Sequence, residues 1–374
     1  MTNIDAIFNL RKVKFSKLDV LFSDLEIKEM VQKVNIFINL ESLFRKIHNK
    51  YVEEQLISLQ KKELKEFHMN LISNVLNLAA HYRLYFNKNK IGTNIVFYIQ
   101  EMDKYVNLNN VQYCKNYRKS FIRKYTDHPE LVTVNNVIRS TLNALDTIVT
   151  YVEDVYLVSS DRVESSVIPL ALIDGKVLDG NLNLMVTTDP YDMQYVNKNF
   201  IIIYPAGEES MIVTKKNLFD VFRINEILTV EGSLPTYLLT FILSVIGDKN
   251  RGIDKVKGTS FNKVFKTLLK VYDKLGITED DYIGFEELVS AIKDDPNNPN
   301  GNKKRVVDNY YATDLSSQVR MISKVQMNHL TDCLINTYES GALTGINDKY
   351  FSTAPINVRE LTQYKKASGR KLFT

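Results

Sequence analysis

Short apolar runs alternate with amphipathic stretches along the first half of the chain, and this pattern predicts its secondary structure. Runs rich in β-branched and aromatic residues lie at Val34–Ile38, Thr93–Gln100 and Val155–Ser159, and a fourth lies in the stretch NLNLMVTTDPYDMQY that begins at Asn181. Their length and composition are typical of buried parallel strands. Because helical segments separate them, we expect an α/β fold whose mostly parallel central sheet is covered by helices.

The segments between and after these strands predict helices and two further strands. We expect a long amphipathic helix from Glu53 to Asn87, another at Leu142–Tyr151 and a third, despite Pro169, in the stretch RVESSVIPLALI. The apolar stretches IIIYP and SMIVT predict strands, and the pattern of Leu315–Tyr338 predicts one C-terminal helix.

The segment Phe241–Lys270 predicts a helical hairpin with a basic turn. An apolar helix ends near Gly247, a polar turn follows, and Ser260 is a candidate N-cap for a second helix, because its hydroxyl can accept a backbone N–H of the first turn. Lysines and arginines occupy the turn and the polar face of the second helix. Together with the backbone N–H groups they favour a phosphate backbone as ligand. The alternative is an ordinary amphipathic hairpin with solvated lysines.

A second basic stretch, NNVQYCKNYRKSFIRKY, begins at Asn109 and interleaves basic residues with tyrosine and phenylalanine. This combination suits phosphate contact together with base stacking. The alternative is a helix with half-buried tyrosines and solvated cations.

Composition and charge set wide limits on function. The chain has 374 residues, 44% of them hydrophobic and 25% charged, with a net charge of +4. These values describe an ordinary soluble protein and are compatible with nucleic-acid binding without requiring it. No apolar run is long enough to span a bilayer and no signal peptide is visible, so we expect a cytoplasmic protein with no membrane partner. Cys114 and Cys333 are too far apart in sequence to suggest a disulfide framework.

Taken in order, these segments resemble the 5′ to 3′ exonuclease and flap endonuclease superfamily. VNIFINLESLFRK and VFYIQ are similar to its first two strands, CKNYR to its Tyr-Lys-x-x-Arg motif, and RVESSVIPLA to the helix that carries Glu-x-Asp-Asp. LMVTTDPYDMQY is similar to Asp-x-Asp-x-x-Gln, and IGDKNRGIDKVKG to the helix-three-turn-helix segment. The resemblance implies a PIN-like α/β fold with a helical helix-three-turn-helix subdomain.

The resemblance also implies a division of the chain. We expect an N-terminal extension at 1–30, a PIN-like nuclease-type domain at 31–235 and a helix-three-turn-helix-like subdomain at 236–292. A loop at 293–305 would then precede a C-terminal helical segment with a basic tail at 306–374.

Members of this superfamily hold two divalent ions with carboxylates, and the chain departs from that pattern. Other residue types stand where the superfamily has acids, namely Asn39, Tyr98, Ser165, Ser166, Tyr191 and Arg251. Asp189 and Asp248 remain as candidate metal ligands. Two dications need carboxylates to stay close together, and a guanidinium about 5 Å from one would be repelled by roughly 7 kcal/mol at an effective dielectric of about 20.

The resemblance therefore implies a catalytically silent, nuclease-like protein that needs no cofactor and binds nucleic acid, with DNA favoured over RNA. The flap, nick or single-strand/duplex junction is the expected target. The implied phosphate contacts are Lys115, Arg118, Lys249, Arg251, Lys255, Lys257 and Lys263.

Two alternatives stay open. One is an active exonuclease that uses Mg²⁺ or Mn²⁺ and rebuilds its site from Glu41, Glu164, Asp189, Asp192 and Asp248. The other is a structural or adaptor protein that docks a protein partner through its terminal extensions. The Asn-, Lys-, Ile- and Tyr-rich composition suits an AT-rich genome, and a bacteriophage origin would place the protein in the host cytoplasm or the virion.

Overall fold

The computed structural model describes the strands of the chain, most of its predicted hairpin and its later helices. The described residues are 31–41, 61–100, 130–150, 152–160, 163–197, 199–206, 209–214, 218, 237–247, 253–260, 263–264, 266–268, 270, 284–290, 292 and 301–335.

Six strands form a single sheet. They are β1 (Lys33–Asn39), β2 (Gly92–Gln100), β3 (Val155–Ser160), β4 (Leu182–Val186), β5 (Phe200–Ala206) and β6 (Glu209–Val213). Their order is β3-β2-β1-β4-β5-β6. β1 pairs in parallel with β2 and β4, β2 pairs in parallel with β3, and β5 and β6 form an antiparallel hairpin. The predicted α/β fold with a mostly parallel sheet is confirmed.

Helices connect and follow the strands. They are α1 (Lys61–Lys88), α2 (Glu130–Val149), α3 (Ile168–Asp174), α4 (Tyr237–Ile246), α5 (Phe285–Ser290), α6 (Gly301–Thr313), α7 (Leu315–Arg320) and α8 (Lys324–Asp332). Two 3₁₀ helices, Ser165–Val167 and Pro190–Tyr195, follow β3 and β4 respectively. None of the described helices is long and apolar enough to cross a membrane.

Two helix predictions need correction. The helix expected at Leu142–Tyr151 begins earlier, at Glu130, and as a whole it packs against α1 and β3. Tertiary packing of a helix can outweigh the low helix propensity of β-branched residues. The helix in RVESSVIPLALI is confirmed from Ile168 onward, with Pro169 in its first turn, where a missing N–H breaks no helical bond.

The single helix predicted at Leu315–Tyr338 is instead two helices in its described part. α7 ends at Arg320, and Ser323 starts α8 with a capping box. The Ser323 hydroxyl accepts the Gln326 N–H at 3.2 Å, and Gln326 Oε1 accepts the Ser323 N–H at 2.8 Å. This reciprocal pair satisfies two backbone donors of a new helix, so the chain restarts there.

The loop predicted at 293–305 is wrong for its last residues, because α6 begins at Gly301. Glycine and asparagine suggested a loop. Asn302 and Val306 are buried, however, and α6 packs along α4, so tertiary contact overrides local composition.

The described chain divides into two compact units. One holds β1–β4, α1–α3 and α8, and the other holds the 3₁₀ helix Pro190–Tyr195, β5, β6 and α4–α7. Within the described residues the chain passes from one unit to the other after Thr188 and returns after Ile322. The predicted boundary between residues 235 and 236 lies outside the described residues.

β1 and β2 are buried along nearly their whole length, which explains their continuous apolar runs. Buried asparagines on three neighbouring strands interrupt these apolar runs, and they lie opposite one another. Asn35 is the register partner of Asn94 on β2 and of Asn183 on β4. Asn94 Nδ2 donates to Asn35 Oδ1 at 2.8 Å, and Asn35 Nδ2 donates to Asn183 Oδ1 at 2.9 Å. We call these three residues the asparagine ladder.

The loop before β4 closes over the asparagine ladder. The Gly180 N–H donates to Asn35 Oδ1 at 3.2 Å, and the Gly180 carbonyl accepts from Asn35 Nδ2 at 3.1 Å. A Cβ atom at position 180 would lie 2.4 Å from Asn35 Oδ1, so this close approach requires glycine. Asp179 accepts from Asn94 Nδ2 at 2.8 Å and lies 3.0 Å from Lys33 Nζ. The buried amides therefore have partners on both sides of β1.

Arg83 of α1 lies at the start of β2 and β3. Its Nη2 donates to the carbonyls of Glu153 and Asp154, at 3.0 and 3.1 Å. Burial lowers the pKa of Arg83 to about 10, partly opposed by the charge of Asp154, so the guanidinium remains protonated near neutral pH. It ties α1 to the turn that precedes β3.

Replacing Asn35 by Leu should lower the free energy of unfolding by about 2–4 kcal/mol, because Asn94 and Asn183 would lose buried hydrogen bonds. Urea denaturation measures the change. Asn143→Ala, at an exposed position on α2, is the matched control and should stay within about 0.5 kcal/mol of wild type. Equal stability of the two variants would contradict a register role for the ladder.

Candidate functional site

The carboxyl ends of β1 and β2 bring two of the predicted site residues together. Asn39 and Tyr98 are register partners, and they are 1% and 0% exposed. The Tyr98 ring packs edge-on against Phe37, with ring centroids 6.5 Å apart. The aromatic ring thus belongs to the core, and neither residue supplies a negative charge to this edge of the sheet.

Glu41 and Ser165 form a contact at the same edge that the sequence did not reveal. Ser165 Oγ donates to Glu41 Oε2 at 2.6 Å, and Glu41 is 8% exposed. Ser165 and Ser166 open the 3₁₀ helix Ser165–Val167, which packs against β2, and both serines are buried. Register pairing, packing and the Glu41–Ser165 hydrogen bond therefore link the end of β1, the end of β2 and the 3₁₀ helix that carries Ser165, and Glu41 adds a carboxylate two residues beyond β1. The sequence also predicts Asp189 as a member of this group, and Asp189 belongs to the other compact unit. We call Asn39, Glu41, Tyr98, Ser165 and Ser166 the crest.

Asp189 and Tyr191 occupy the start of the second unit. Asp189 caps the 3₁₀ helix Pro190–Tyr195, and its Oδ1 accepts the Tyr191 N–H at 3.0 Å. Tyr191 and Asp192 are buried. Gln194 Oε1 accepts from the Thr240 hydroxyl of α4 at 2.7 Å, which anchors this turn. The capping bond gives Asp189 a structural task, and its role as a metal ligand stays a prediction.

The donor set of the crest is one carboxylate, one amide, two serine hydroxyls and a phenol. Among the residues that the structure describes, no three His, Cys, Asp or Glu side chains are grouped closely enough to hold a metal ion. Hydroxyl and amide oxygens can bind Mg²⁺ but cannot neutralise a pair of dications. The described crest therefore does not fit a two-metal centre. Asp248 and Arg251 lie outside the described residues.

The predicted hairpin turn is built around Gly247. This residue ends α4 with φ +66°, a left-handed conformation that favours glycine. A Cβ atom at position 247 would lie 2.5 Å from Lys255 N and 2.6 Å from Ile253 O. The Val256 N–H then donates to the Val245 carbonyl at 3.0 Å and closes the turn against α4.

The second helix of the hairpin starts where the sequence predicted. Ser260 Oγ accepts the Lys263 N–H at 3.3 Å, and the Ser260 carbonyl accepts the Val264 N–H at 2.9 Å. Residues 263–264, 266–268 and 270 are helical. Val264 and Leu268 are buried, whereas the lysines at 263, 266 and 270 are exposed. The N-cap is confirmed, and the described positions of this helix follow the predicted amphipathic pattern.

Three of the predicted phosphate contacts surround an open stretch of backbone. Lys255, Lys257 and Lys263 are exposed, and Lys263 Nζ donates to the Gly258 carbonyl at 3.2 Å. Gly258 has φ +74°, and no atom of the described residues, apart from the glycine and its chain neighbours, lies within 4 Å of the place a Cβ would take. An anion can therefore approach the backbone there between cationic side chains. The other predicted contacts, Lys115, Arg118, Lys249 and Arg251, lie outside the described residues.

Sequence reasoning missed the contribution of α6 to the hairpin. Asn309 Nδ2 donates to the carbonyls of Ser244 and Asp254, both at 2.7 Å, and Asn302 Nδ2 donates to the Lys257 carbonyl at 3.3 Å. The signal was a helical spacing of residues that are buried in the structure. These residues are Asn302, Val306, Asn309 and Thr313. Two of the four are asparagines, which do not register in a hydrophobic pattern.

The mostly parallel sheet with its helices is the fold of PIN-like flap nucleases. Among the solved structures that share it are three from bacteriophage T5. One is a T5 protein co-crystallised with metal ions, with a TM-score of 0.52 and 10% identity over 81% of this chain and 99% of that one. Another is the T5 flap endonuclease as a pseudo-enzyme–product complex with DNA and metal ions, with a TM-score of 0.51 and 11% identity over 80% and 98%.

The T5 5′-exonuclease with bound zinc also matches, with a TM-score of 0.51 and 8% identity over 82% of this chain and 100% of that one. No protein-family model and no curated protein matches the sequence. At these identities the likeness establishes a common fold and carries no residue roles across.

Alanine substitutions at the two hairpin glycines should differ sharply. Gly258→Ala should cost about 1–2 kcal/mol, the left-handed backbone penalty alone, because the space around it is open. Gly247→Ala should cost at least about 3 kcal/mol, since the new Cβ also meets backbone atoms. Thermal or urea unfolding measures both changes. Similar losses at the two positions would show that the turn differs from this geometry.

Proposed function

We propose that this chain is a nuclease-like protein that binds nucleic acid through phosphate contacts and does not hydrolyse it. Its target is a flap, a nick or a junction between single-stranded and duplex nucleic acid. DNA is proposed over RNA because one of the structures that share the fold is a complex with DNA. If the protein is of phage origin, it acts in the host cytoplasm or the virion, and a protein partner would bind through its N- or C-terminal extension.

The observation that carries this proposal is the open backbone at Gly258 between exposed lysines. A phosphodiester can accept hydrogen bonds from backbone N–H groups at a left-handed turn and gain charge from lysines beside it. Lys255, Lys257 and Lys263 lie on the turn and the first turn of the helix after it.

The crest supports the absence of hydrolysis. Cleavage of a phosphodiester by two metal ions needs carboxylates that hold the ions and lower the pKa of the attacking water. Asn39, Ser165 and Ser166 are neutral, and the Tyr98 ring is packed in the core. Glu41 is the crest's carboxylate, and it accepts a hydrogen bond from Ser165.

That same carboxylate favours one alternative. Glu41, together with Glu164, Asp189, Asp192 and Asp248, would supply the ligands of a divergent exonuclease that requires Mg²⁺ or Mn²⁺. The two functions make opposite predictions for cleavage.

Purified protein incubated with a 5′-flapped duplex and Mg²⁺ or Mn²⁺ should yield no cleavage product, because the crest lacks the charge to hold two dications. Gel electrophoresis of end-labelled DNA is the measurement. Cleavage that disappears in Asp189→Ala would replace the proposed function with the exonuclease alternative. Cleavage that survives this substitution would be assigned to a contaminating nuclease.

Replacing Lys255, Lys257 and Lys263 together by Ala should weaken binding of flapped DNA and flatten its salt dependence. Each lost phosphate contact should reduce the slope of log K against log salt by about 0.9. Fluorescence anisotropy at several salt concentrations measures both quantities. Lys324→Ala, which removes an exposed lysine from α8, is the control and should leave the slope unchanged. An unchanged slope in the triple variant would assign binding to a different surface.

A further inference from the structure

One stripe of α6 faces the hairpin. Asn302, Arg305 and Asn309 follow one another at intervals of three and four residues, so they lie on the same side of the helix. Each contacts the hairpin, through the Lys257 carbonyl, the Asp254 carboxylate and the Asp254 carbonyl respectively. The hairpin is therefore supported along its turn by a helix that follows it in sequence.

Asn309 joins α4 to the turn of the hairpin. Its side-chain amide has two hydrogens, and its Nδ2 donates to the Ser244 carbonyl on α4 and to the Asp254 carbonyl in the turn, both at 2.7 Å. The side chain is buried. A short bridge of this kind fixes the distance between α4 and the turn. It thereby fixes the position of the backbone that carries Lys255 and Lys257.

Asp254 is the acidic residue of the described turn, and Arg305 pairs with it. Arg305 Nη1 lies 2.8 Å from Asp254 Oδ2, and both side chains are exposed. An exposed pair of this kind contributes little to stability. Its electrostatic effect on a phosphate backbone is different, because an unpaired carboxylate beside Lys255 would repel the phosphates that the lysines attract.

We propose that α6 sets the hairpin as a phosphate-binding surface, with Asn309 as its positioning residue and Arg305 as the group that cancels the charge of Asp254. In the described part of the turn, a nucleic-acid backbone then meets cationic side chains with no uncompensated carboxylate among them. The proposal rests on the proposed function, since it assigns the support of that same surface. Two residues that are not among the three lysines, Asn309 and Arg305, thus affect the affinity for nucleic acid.

The first experiment measures binding of a 5′-flapped duplex at low ionic strength by fluorescence anisotropy. Arg305→Ala should weaken binding by about three- to tenfold, and Asp254→Ala should tighten it, because the net charge of the turn changes in opposite directions. The double variant Arg305→Ala with Asp254→Ala restores neutrality and should bind within about twofold of wild type. Arg320→Ala, an exposed arginine of α7 in the same unit, is the matched control for loss of one positive charge.

The double variant decides the role of Arg305. If it binds as weakly as Arg305→Ala alone, Arg305 itself touches phosphate, and the cancelling role is wrong. If Arg305→Ala weakens binding no more than Arg320→Ala does, the effect is one of general charge, and the proposal is again overturned.

The second experiment compares Asn309→Ala with Val306→Ala. Val306 is fully buried on the same helix, so its truncation destabilises α6 without removing a hydrogen bond to the hairpin. Asn309→Ala should weaken DNA binding by about tenfold relative to Val306→Ala. Both affinities are measured on folded protein, each at a temperature that is the same fraction of that variant's melting temperature. Equal affinities in the two variants would reduce Asn309 to a structural role.

Failure of the proposed function is distinguishable from failure of this inference. If the wild-type chain does not bind flapped DNA at low salt, both are contradicted. If the wild-type chain binds with a steep salt dependence, but Asn309→Ala and Arg305→Ala bind as well as their controls, the inference alone is contradicted.

Discussion

The asparagine ladder is the constraint on which the rest of the sheet depends. Successive side chains of a strand point to opposite faces, so a slip of one residue would move every side chain of that strand to the other face of the sheet. Asn35 can bond to both Asn94 and Asn183 in one register only. That register also sets Asn39 opposite Tyr98, four residues further along each strand. Amides near the amino ends of the strands therefore determine which residues lie opposite one another at the carboxyl ends.

The asparagine ladder lies near the amino ends of the strands, so the residues that fix the register are separate from the residues of the candidate site. The crest lies at the carboxyl ends, where open α/β sheets place their ligands. Its residues can change in charge without disturbing the amide hydrogen bonds that align β1, β2 and β4. For this reason, the proposed absence of hydrolysis is compatible with an unchanged alignment of these three strands.

The sequence predicted those features that follow from local pattern. β1, β2 and β3 were placed within one residue, because their apolar runs are continuous, and Ser260 was recognised as an N-cap from its position before an amphipathic helix. Long-range contacts have no local pattern. The Glu41–Ser165 pair joins residues 124 positions apart. The first residues of α6, from Gly301 to Arg305, have the composition of a loop, and only packing against α4 reveals that Asn302 and Asn309 are buried.

Asparagine thus has one physical task at two places in the molecule. A buried amide carries a donor and an acceptor but no charge, so it can fix a geometry without the desolvation penalty of an ion. On β1 it aligns strands, and on α6 it holds a turn. In the turn this neutrality matters for function, since a lysine or aspartate at position 309 would add a charge beside the lysines that the proposed function assigns to phosphate. An amide supports those lysines and leaves their field unaltered.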